Sequence, residues 1–377
     1  MLRYLSAGES HGKALTGIIE GMVAGLEIDE EEINRELRMR KRVYGRGKRA
    51  AFEEDRIEIL SGVIEGKTIG SPICLKLSNK EKKFETETVP RPGHADLPGA
   101  LKYDFKNINF VAERASARET AMRVSVGSIA KKLLYEFAVD FFSHTLMIGG
   151  IRADVRLSDF EKKTKNKRKE SEIYCLDKKA GLEMIEKIDE AQRTGDTLGG
   201  VCEVLIKNLP PGIGSYVHYE RRLDYCLGGA LMSIPSVKAV EIGEGIQAGK
   251  MFGSRFHDAL KCKQRIKRET NNAGGIEGGV SNGEMIVTRL FVKPVPTLKN
   301  ALSSFDIISR KSAKAPYIRS DTCIVPAVGV IGEAVSAWEI ARSFLEKFGG
   351  DTLLETKRNF RAYINSLDWE YLKNSKI

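Results

Sequence analysis

The chain has 377 residues, 42% hydrophobic, 30% charged and 7% aromatic. These proportions exclude general disorder and low complexity, and the length is far beyond that at which a core needs a disulfide or metal staple. There are 61 Lys and Arg against 51 Asp and Glu, a net charge of +10 that favours anionic partners without naming one.

In chain order, a short strand is expected over residues 2–5, a glycine-bounded turn over 8–12 and a second strand over 15–23. Asp29, with Glu32 three residues on, starts a helix with Ile33 and Leu37 on its apolar face. A basic segment follows at 38–49, and its glycines at 45 and 47 predict a loop. Residues 57–64 and 71–77 read as strands. The stretch from Val89 to Asp96 is too rich in Pro and Gly to lie inside an element. A long helix is expected over 115–138, on the period of Ala117, Ala121, Val124, Ile129, Leu133 and Phe137. Residues 159–175 form a charge-dense insertion, expected to be a solvated loop or hairpin. Its lysines have no aromatic residues interleaved, so it does not read as a nucleic-acid site. A helix over 178–193 turns Leu182, Ile185 and Ile188 inward and stops at Gly195. Later strands are expected over 201–206, 237–242 and 285–292. Later helices are expected near 219–231, 299–309 and 333–348, the last with Val335, Trp338, Ala341 and Leu345 on one face. The tail beyond 350 should pack outside or fray.

Six cysteines stand singly with no CxxC, which suggests a reducing compartment and no structural zinc. No apolar run approaches the ~18 residues of a membrane span. The first residues do not read as a secretory signal. A soluble cytoplasmic protein is the expectation. The length allows two or three domains or one large one. One internal echo bears on this. Gly66-Lys-Thr-Ile-Gly resembles Gly195-Asp-Thr-Leu-Gly, and each leads into a strand carrying a cysteine. Two similar halves near 1–150 and 190–350 of a single domain follow, each with antiparallel sheet and helices. Strand and helix do not alternate regularly, which argues against a Rossmann or barrel fold.

Two glycine motifs fail on spacing. Gly62-Val-Ile-Glu-Gly-Lys-Thr68 is one residue short of a phosphate-binding loop. Gly243-Glu-Gly-Ile-Gln-Ala-Gly249 misses the dinucleotide fingerprint. The run from Asn271 to Gly283 is a loop with little bulk over its backbone, either an ordinary turn or a surface close to a flat ligand. Five histidines contain no metal-binding pair. His144 follows Phe141-Phe142 and reads as a packed residue. His11 and His94 each lie in a tight glycine-bearing segment with an acid nearby, a setting either for packing or for acid–base work on an anion. Arginines cluster at 40, 42, 46 and 49, and again at 114, 118 and 123. Their planar forks suit carboxylate and phosphate. The residues alone therefore describe an enzyme for a small polyanion, without naming its reaction.

Ten segments in order resemble those of the chorismate synthase family. They are Gly8-Glu-Ser-His-Gly12, Tyr44-Gly-Arg-Gly-Lys-Arg49, Arg91-Pro-Gly-His-Ala-Asp96, Arg114-Ala-Ser-Ala-Arg-Glu-Thr-Ala-Met-Arg123 and Gly195-Asp-Thr-Leu-Gly-Gly200. The others are Pro210-Pro-Gly-Ile-Gly-Ser-Tyr-Val-His218, Met232-Ser-Ile-Pro-Ser-Val-Lys238, Ala273-Gly-Gly-Ile-Glu-Gly-Gly-Val-Ser-Asn-Gly283, Lys293-Pro-Val-Pro-Thr297 and Arg319-Ser-Asp-Thr-Cys323. The resemblance implies an α+β fold with helices sandwiched between antiparallel sheets and internal pseudo-symmetry, assembled as a cytoplasmic homotetramer. It implies the 1,4-anti elimination of phosphate from 5-enolpyruvylshikimate 3-phosphate to give chorismate. Reduced FMN is required without net redox change. NADPH or an external flavin reductase would supply the electrons.

By the same resemblance His11 protonates the departing phosphate, His94 sits beside the flavin N1 edge, and Asp321 keeps flavin N5 basic. Arg40, Arg46, Arg49 and Arg123 match substrate-binding positions. Arg40 and Arg46 also match positions described as NADP-binding. The FMN surface would be Arg114, Ala115, Ser116, Gln247, Ala248, Gly278, Lys293, Pro294, Val295, Pro296, Thr297 and Arg319. Met39 and Val43 depart from the family's usual loop, and Ala115 stands where many members have serine, so one hydroxyl contact is absent. An idle flavin- or anion-binding protein and a nucleic-acid module on the basic runs are the competing readings.

Overall fold

Two antiparallel sheets enclose helices in the structure, a computed structural model that describes residues 1–46, 55–79, 86–155, 158, 160–262, 266–317 and 321–367. The chain begins with β1 (Arg3–Ala7), β2 (Ala14–Glu20) and α1 (Glu30–Lys41). Next come β3 (Ile57–Ser61), β4 (Val63–Ile64), β5 (Lys67–Thr68) and β6 (Ile73–Ser78). Then α2 (Asp96–Tyr103) and α3 (Asn109–Ala115) lead through a 3-10 turn at Ala117–Glu119 into α4 (Thr120–Tyr135). β7 (Asp140–Ile148), β8 (Ile151–Arg152), α5 (Lys162–Lys169), α6 (Lys178–Thr194) and β9 (Gly200–Lys207) follow. After these come α7 (Leu223–Met232), β10 (Val237–Ile242), α8 (Gly245–Ala248), α9 (Gly253–Phe256), β11 (Leu260–Cys262) and β12 (Ile266–Arg268). The chain ends with β13 (Ile276–Glu277), β14 (Val280–Ser281), β15 (Ile286–Val292), β16 (Ser303–Phe305), β17 (Ser312–Lys314), α10 (Val325–Phe348) and α11 (Leu353–Ser366).

The first sheet has the order β1-β2-β6-β3 and the second β10-β15-β9-β7-β8, with every neighbouring pair antiparallel. Alternation sets which face is inside. Ile73, Leu75 and Leu77 of β6 are buried, and Cys74 and Lys76 are not. β15 likewise buries Ile286, Thr288, Leu290 and Val292. Central β9 is buried on both faces. α10 covers one, and a cluster of Phe142, Phe160, Leu176 and Leu205 lies on the other side.

Helix α4 packs on β2 and on α10, and α10 packs on β7, β9 and β15. The two helices touch backbone to backbone at Gly127, where a Cβ would lie 2.4 Å from the Ala334 carbonyl oxygen. The expected one-sided face of Val335, Trp338, Ala341 and Leu345 is only part of α10. The helix is buried nearly all round and begins at Val325, with Pro326 in its first turn.

Several local expectations are corrected. α1 does not give way to a loop at residue 38. It runs to Lys41 and buries Arg40. The helix expected over 115–138 breaks at Ser116, which is extended and accepts from the Arg118 N–H; α4 starts at Thr120. Arg114 therefore ends one helix, where a cation suits the dipole, and does not begin another. Leu182 is exposed, while Ala180, Met184, Ile188 and Ala191 form the buried side of α6. No helix spans 299–309. The Asp306 side chain accepts from the Ile308 and Ser309 N–H groups and makes a turn between β16 and β17. Of the two outcomes expected beyond residue 350, packing holds for Leu353–Ser366, which form α11. Thr352 and Glu355 form a capping box for α11, and Phe360 packs on Phe137, Phe344 and Phe348.

The charged insertion is anchored as well. Arg168 of α5 is 4% exposed and its guanidinium lies 4.8 Å from the Phe142 ring centroid. It donates to Ser143 O at 3.0 Å and to Glu333 of α10 at 2.5 Å, and Lys131 of α4 donates to the other Glu333 oxygen at 2.7 Å. Burial works against the Glu333 carboxylate, but Lys131 and Arg168 outweigh it and hold Glu333 well below the usual carboxylate range.

The two echo segments share a left-handed glycine and a threonine bond but not a turn: Gly66 lies in the β4–β5 hairpin and Gly195 caps α6. Gly66 and Gly195 are left-handed at φ 74° and 75°, and Thr68 and Thr197 each donate to a backbone carbonyl at 2.7 Å. The strands that follow, β6 and β9, are interior strands of the two sheets.

Candidate active site

The loops at one end of α1, α3 and β15 enclose a cleft of about 630 Å³. Its lining carries six cations, Arg40, Lys41, Arg46, Arg91, Arg118 and Lys293, against three carboxylates, Asp55, Glu113 and Asp321. His11 and His94 both line it.

His11 is placed by the turn between β1 and β2. Gly8 opens that turn at φ 107°, and a Cβ there would meet the Ala14 carbonyl oxygen at 2.3 Å, so only glycine fits. Asn79 donates to the carbonyls of Glu9 and Gly12 at 2.9 and 3.1 Å. From α3, Glu113 accepts from the His11 backbone N–H and meets Nδ1, both at 2.6 Å. The ring nitrogen left to act on a ligand is therefore Nε2.

His94 is placed in a parallel way. Its Nδ1 lies 2.5 Å from Asp96 Oδ1, and Arg91 donates to Asp96 through Nε at 2.8 Å and Nη2 at 3.0 Å. Burial works against the Asp96 carboxylate, but the hydrogen bonds from His94 and Arg91 prevail and hold it well below its ordinary range. Lys293 donates to Gly93 O in the same loop. Burial, with Lys238 nearby, pulls the Lys293 ammonium down from its usual value.

The arginines are held by acids in the cleft wall. Arg40 donates to Thr120 Oγ1 and Ala117 O, each at 3.0 Å. Burial and then the charge of Arg46 bring Arg40 down to about 9. Arg46 donates to Asp321 Oδ2 and to Arg40 O, both at 3.0 Å. The segment is fixed because Thr322 N–H donates to Gly45 O at 2.7 Å. Asp55 lies 2.5 Å from Arg118, 3.7 Å from Arg40 and 3.9 Å from Lys41. Burial opposes its ionisation, but Arg118 and Arg40 outweigh that and lower it.

The structure thus brings together His11, His94, Asp321, Arg40, Arg46, Ala115, Ser116, Lys293, Val295, Pro296 and Thr297. Other expected residues lie elsewhere. Arg114 ties to Ser6 and Gly8 carbonyls at 3.1 and 3.2 Å. Arg123 pairs with Glu119 and donates to Ser233 Oγ at 2.7 Å, in a second depression beside Tyr4, Tyr225, Trp338 and Arg342. Pro294 packs by Gly199, Gln247 and Ala248 sit on α8, and Gly278 is in the β13–β14 turn. Arg49 and Arg319 lie outside the described residues. Sequence reasoning missed Asp55 and Asn79, which carry no motif, and Glu113, whose neighbour Arg114 was singled out.

Residues 2–345 match the family model described as chorismate synthase. A protein named chorismate synthase from Desulforudis audaxviator (strain MP104C) is 48% identical over 384 residues, covering 97% of this chain and 98% of that protein. One of the same name from Carboxydothermus hydrogenoformans is 47% identical, covering 97% and 99%. A solved crystal structure of chorismate synthase superposes with TM-score 0.81 at 40% identity, covering 97% of this chain and 98% of that one.

Proposed function

The chain belongs to the chorismate synthase family, and on that premise we propose how its cleft performs the 1,4-anti elimination of phosphate from 5-enolpyruvylshikimate 3-phosphate to give chorismate. The single observation that carries the reading is the convergence of His11, His94, Asp321, Arg40 and Arg46 on one cationic cleft.

The substrate carries two carboxylates and a phosphate. Arg40, Arg46 and Arg118 supply fixed positive charge for them, with Arg49 added on the resemblance. Their present partners, Asp55 and Asp321, keep that charge in place before an anion arrives. Arg40 spends its Nε and Nη2 on Thr120 and Ala117, which supports a role as a wall of the anion site over a direct NADP contact. His11, with Nδ1 already engaged, offers Nε2 to the departing phosphate, where a proton lowers the leaving group's charge.

The cleft fits reduced FMN. Small and apolar side chains, Ala112, Ala115, Ala117, Val295 and Pro296, provide a surface for a planar ring, and an anionic phosphate beside Thr297 would offset the burial and the Lys238 charge that disfavour the Lys293 ammonium. When bound, reduced FMN supplies electron density to the substrate π-system and recovers it, so no net redox change results. His94, oriented by Asp96, would sit beside the N1 edge of that ring, and the Asp321 carboxylate, held by Arg46, would keep its N5 basic. Gln247, Ala248, Gly278 and Arg319 remain candidate FMN residues on the resemblance alone. A homotetramer working in the cytoplasm, with NADPH or an external flavin reductase as the electron source, completes the proposal. Among the described residues no helix is long and apolar enough to cross a membrane.

The test is anaerobic turnover with 5-enolpyruvylshikimate 3-phosphate and chemically reduced FMN, followed by chorismate absorbance and phosphate release. Product that forms only with reduced flavin is expected. No product from folded protein would leave the idle-binder reading.

A further inference from the structure

We propose that Glu113 is the positioning residue of His11, an inference that rests on the His11 role given above. The two oxygens of Glu113 divide between the two donors of one residue. Oε2 accepts the His11 backbone N–H and Oε1 meets ring Nδ1, each at 2.6 Å. The first contact fixes where the turn places the residue, and the second fixes how the ring is rotated.

A carboxylate accepts and does not donate, so Nδ1 carries the hydrogen in this contact. That selects one proton arrangement. With both nitrogens protonated, the ring's positive charge faces the Glu113 carboxylate and Nε2 holds the proton for transfer. After Nε2 gives that proton to the phosphate oxygen, the neutral ring keeps Nδ1–H and the same hydrogen bond. The ring need not turn between the two states, as in other histidines held by a carboxylate.

Glu113 is itself well held. It is 8% exposed, near the end of α3, and its backbone carbonyl accepts from the Ser10 N–H at 3.1 Å. That backbone bond survives any side-chain change, so a variant alters the tether without detaching the turn. Glutamine is the informative substitution. Its amide has one acceptor and one donor, so with the oxygen on the backbone N–H the amide N–H can meet Nδ1 only when the ring adopts its other tautomer, and the Nδ1–H arrangement loses its acceptor. Aspartate keeps both acceptors on a shorter arm.

The experiment combines kinetics with imidazole ¹⁵N spectra of the full chain. Glu113→Gln should lower kcat roughly 10- to 100-fold, up to the lower end of a general acid's ~10²–10⁴-fold contribution because the acid itself remains, and leave substrate affinity within about 3-fold. Glu113→Asp should recover most of that loss. In a His11→Ala background Glu113→Gln should have no further effect on kcat, because it acts through the missing ring. The ¹⁵N signals of His11 should show Nδ1–H in the parent and a mixed tautomer in Glu113→Gln. A Glu113→Gln slowing that persists at full size without His11, an equal loss in the Asp and Gln variants, or an unchanged His11 tautomer would overturn the proposal. Parental turnover by His11→Ala would instead overturn the acid role of His11, and the ¹⁵N spectra would then decide the tether by themselves.

Discussion

Replacing Asp55 by Asn tests whether the cleft is built around an anion. Asp55 is 8% exposed and stands within 4 Å of three cations, Arg118 at 2.5 Å, Arg40 at 3.7 Å and Lys41 at 3.9 Å. At an effective dielectric constant of about 20 the attraction is ~7 kcal/mol for the shortest pair and ~4 kcal/mol for each of the others. Desolvation of the ions cancels most of that, and removing one member of such a buried group typically costs ~3–5 kcal/mol. Unfolding entropy of ~2.1 cal/mol/K per residue gives ~0.8 kcal/mol/K here, so the melting point should fall by ~4–6 K. The variant leaves the three cations short of one negative charge, which inorganic phosphate can supply. Phosphate at 100 times its dissociation constant contributes ~2.7 kcal/mol. At any fixed lower concentration it should raise the melting point of Asp55→Asn more than that of the parent. Thermal unfolding followed by circular dichroism, with and without phosphate, reads both effects. A loss under ~1 kcal/mol, or a phosphate response no larger than the parent's, would refute the reasoning.

Asp321→Asn should still bind FMN and substrate while kcat falls by ~10²-fold or more; loss of FMN binding by fluorescence titration would make Asp321 a structural residue. Glu333→Ala strands Lys131 and Arg168 in the interior and should cost ~3–5 kcal/mol in urea unfolding, with turnover of the folded fraction retained. Asp96 has a depressed carboxyl, so its contribution is fully present above the unfolded value of ~3.9 and is lost as pH falls below it. Urea midpoints of Asp96→Asn should therefore lie below the parent's at pH 7, and the gap should narrow only progressively as pH falls from about 4 toward the carboxyl's depressed folded-state range; a gap already closed at pH 4 would contradict this.

Local chemistry explains which parts of the fold were legible from the chain alone. β10 was read to its exact residues, and β6, β9 and β15 to within one or two, because alternating or continuous apolar runs mark them. Gly195 closes α6 as expected, since a left-handed cap favours glycine. The errors fell where a long-range partner outweighs local pattern. Arg168 looks like one more charge in a solvated tract, yet Glu333, 165 positions away, draws it inside. Beyond residue 350, where packing outside or fraying was open, three phenylalanines from elsewhere receive Phe360 and Leu353–Ser366 pack as α11.

The candidate site divides along the same line. His11, His94 and the arginines at 40 and 46 are visible in the sequence because they lie in or beside glycine-bearing segments, whereas Asp321 is reached only through the resemblance to a known family. By itself the sequence therefore determined which chemistry is available, a pair of histidines and a set of arginine forks for an anion. Only the tertiary structure decided how those groups are held. Glu113 reaches His11 across 102 positions and Asp55 reaches Arg118 across 63. It also left Arg123 outside the cleft, with Glu119 and Ser233. A carboxylate's effect on a histidine or arginine depends on distances of a few ångströms through space, and sequence separation carries no information about those.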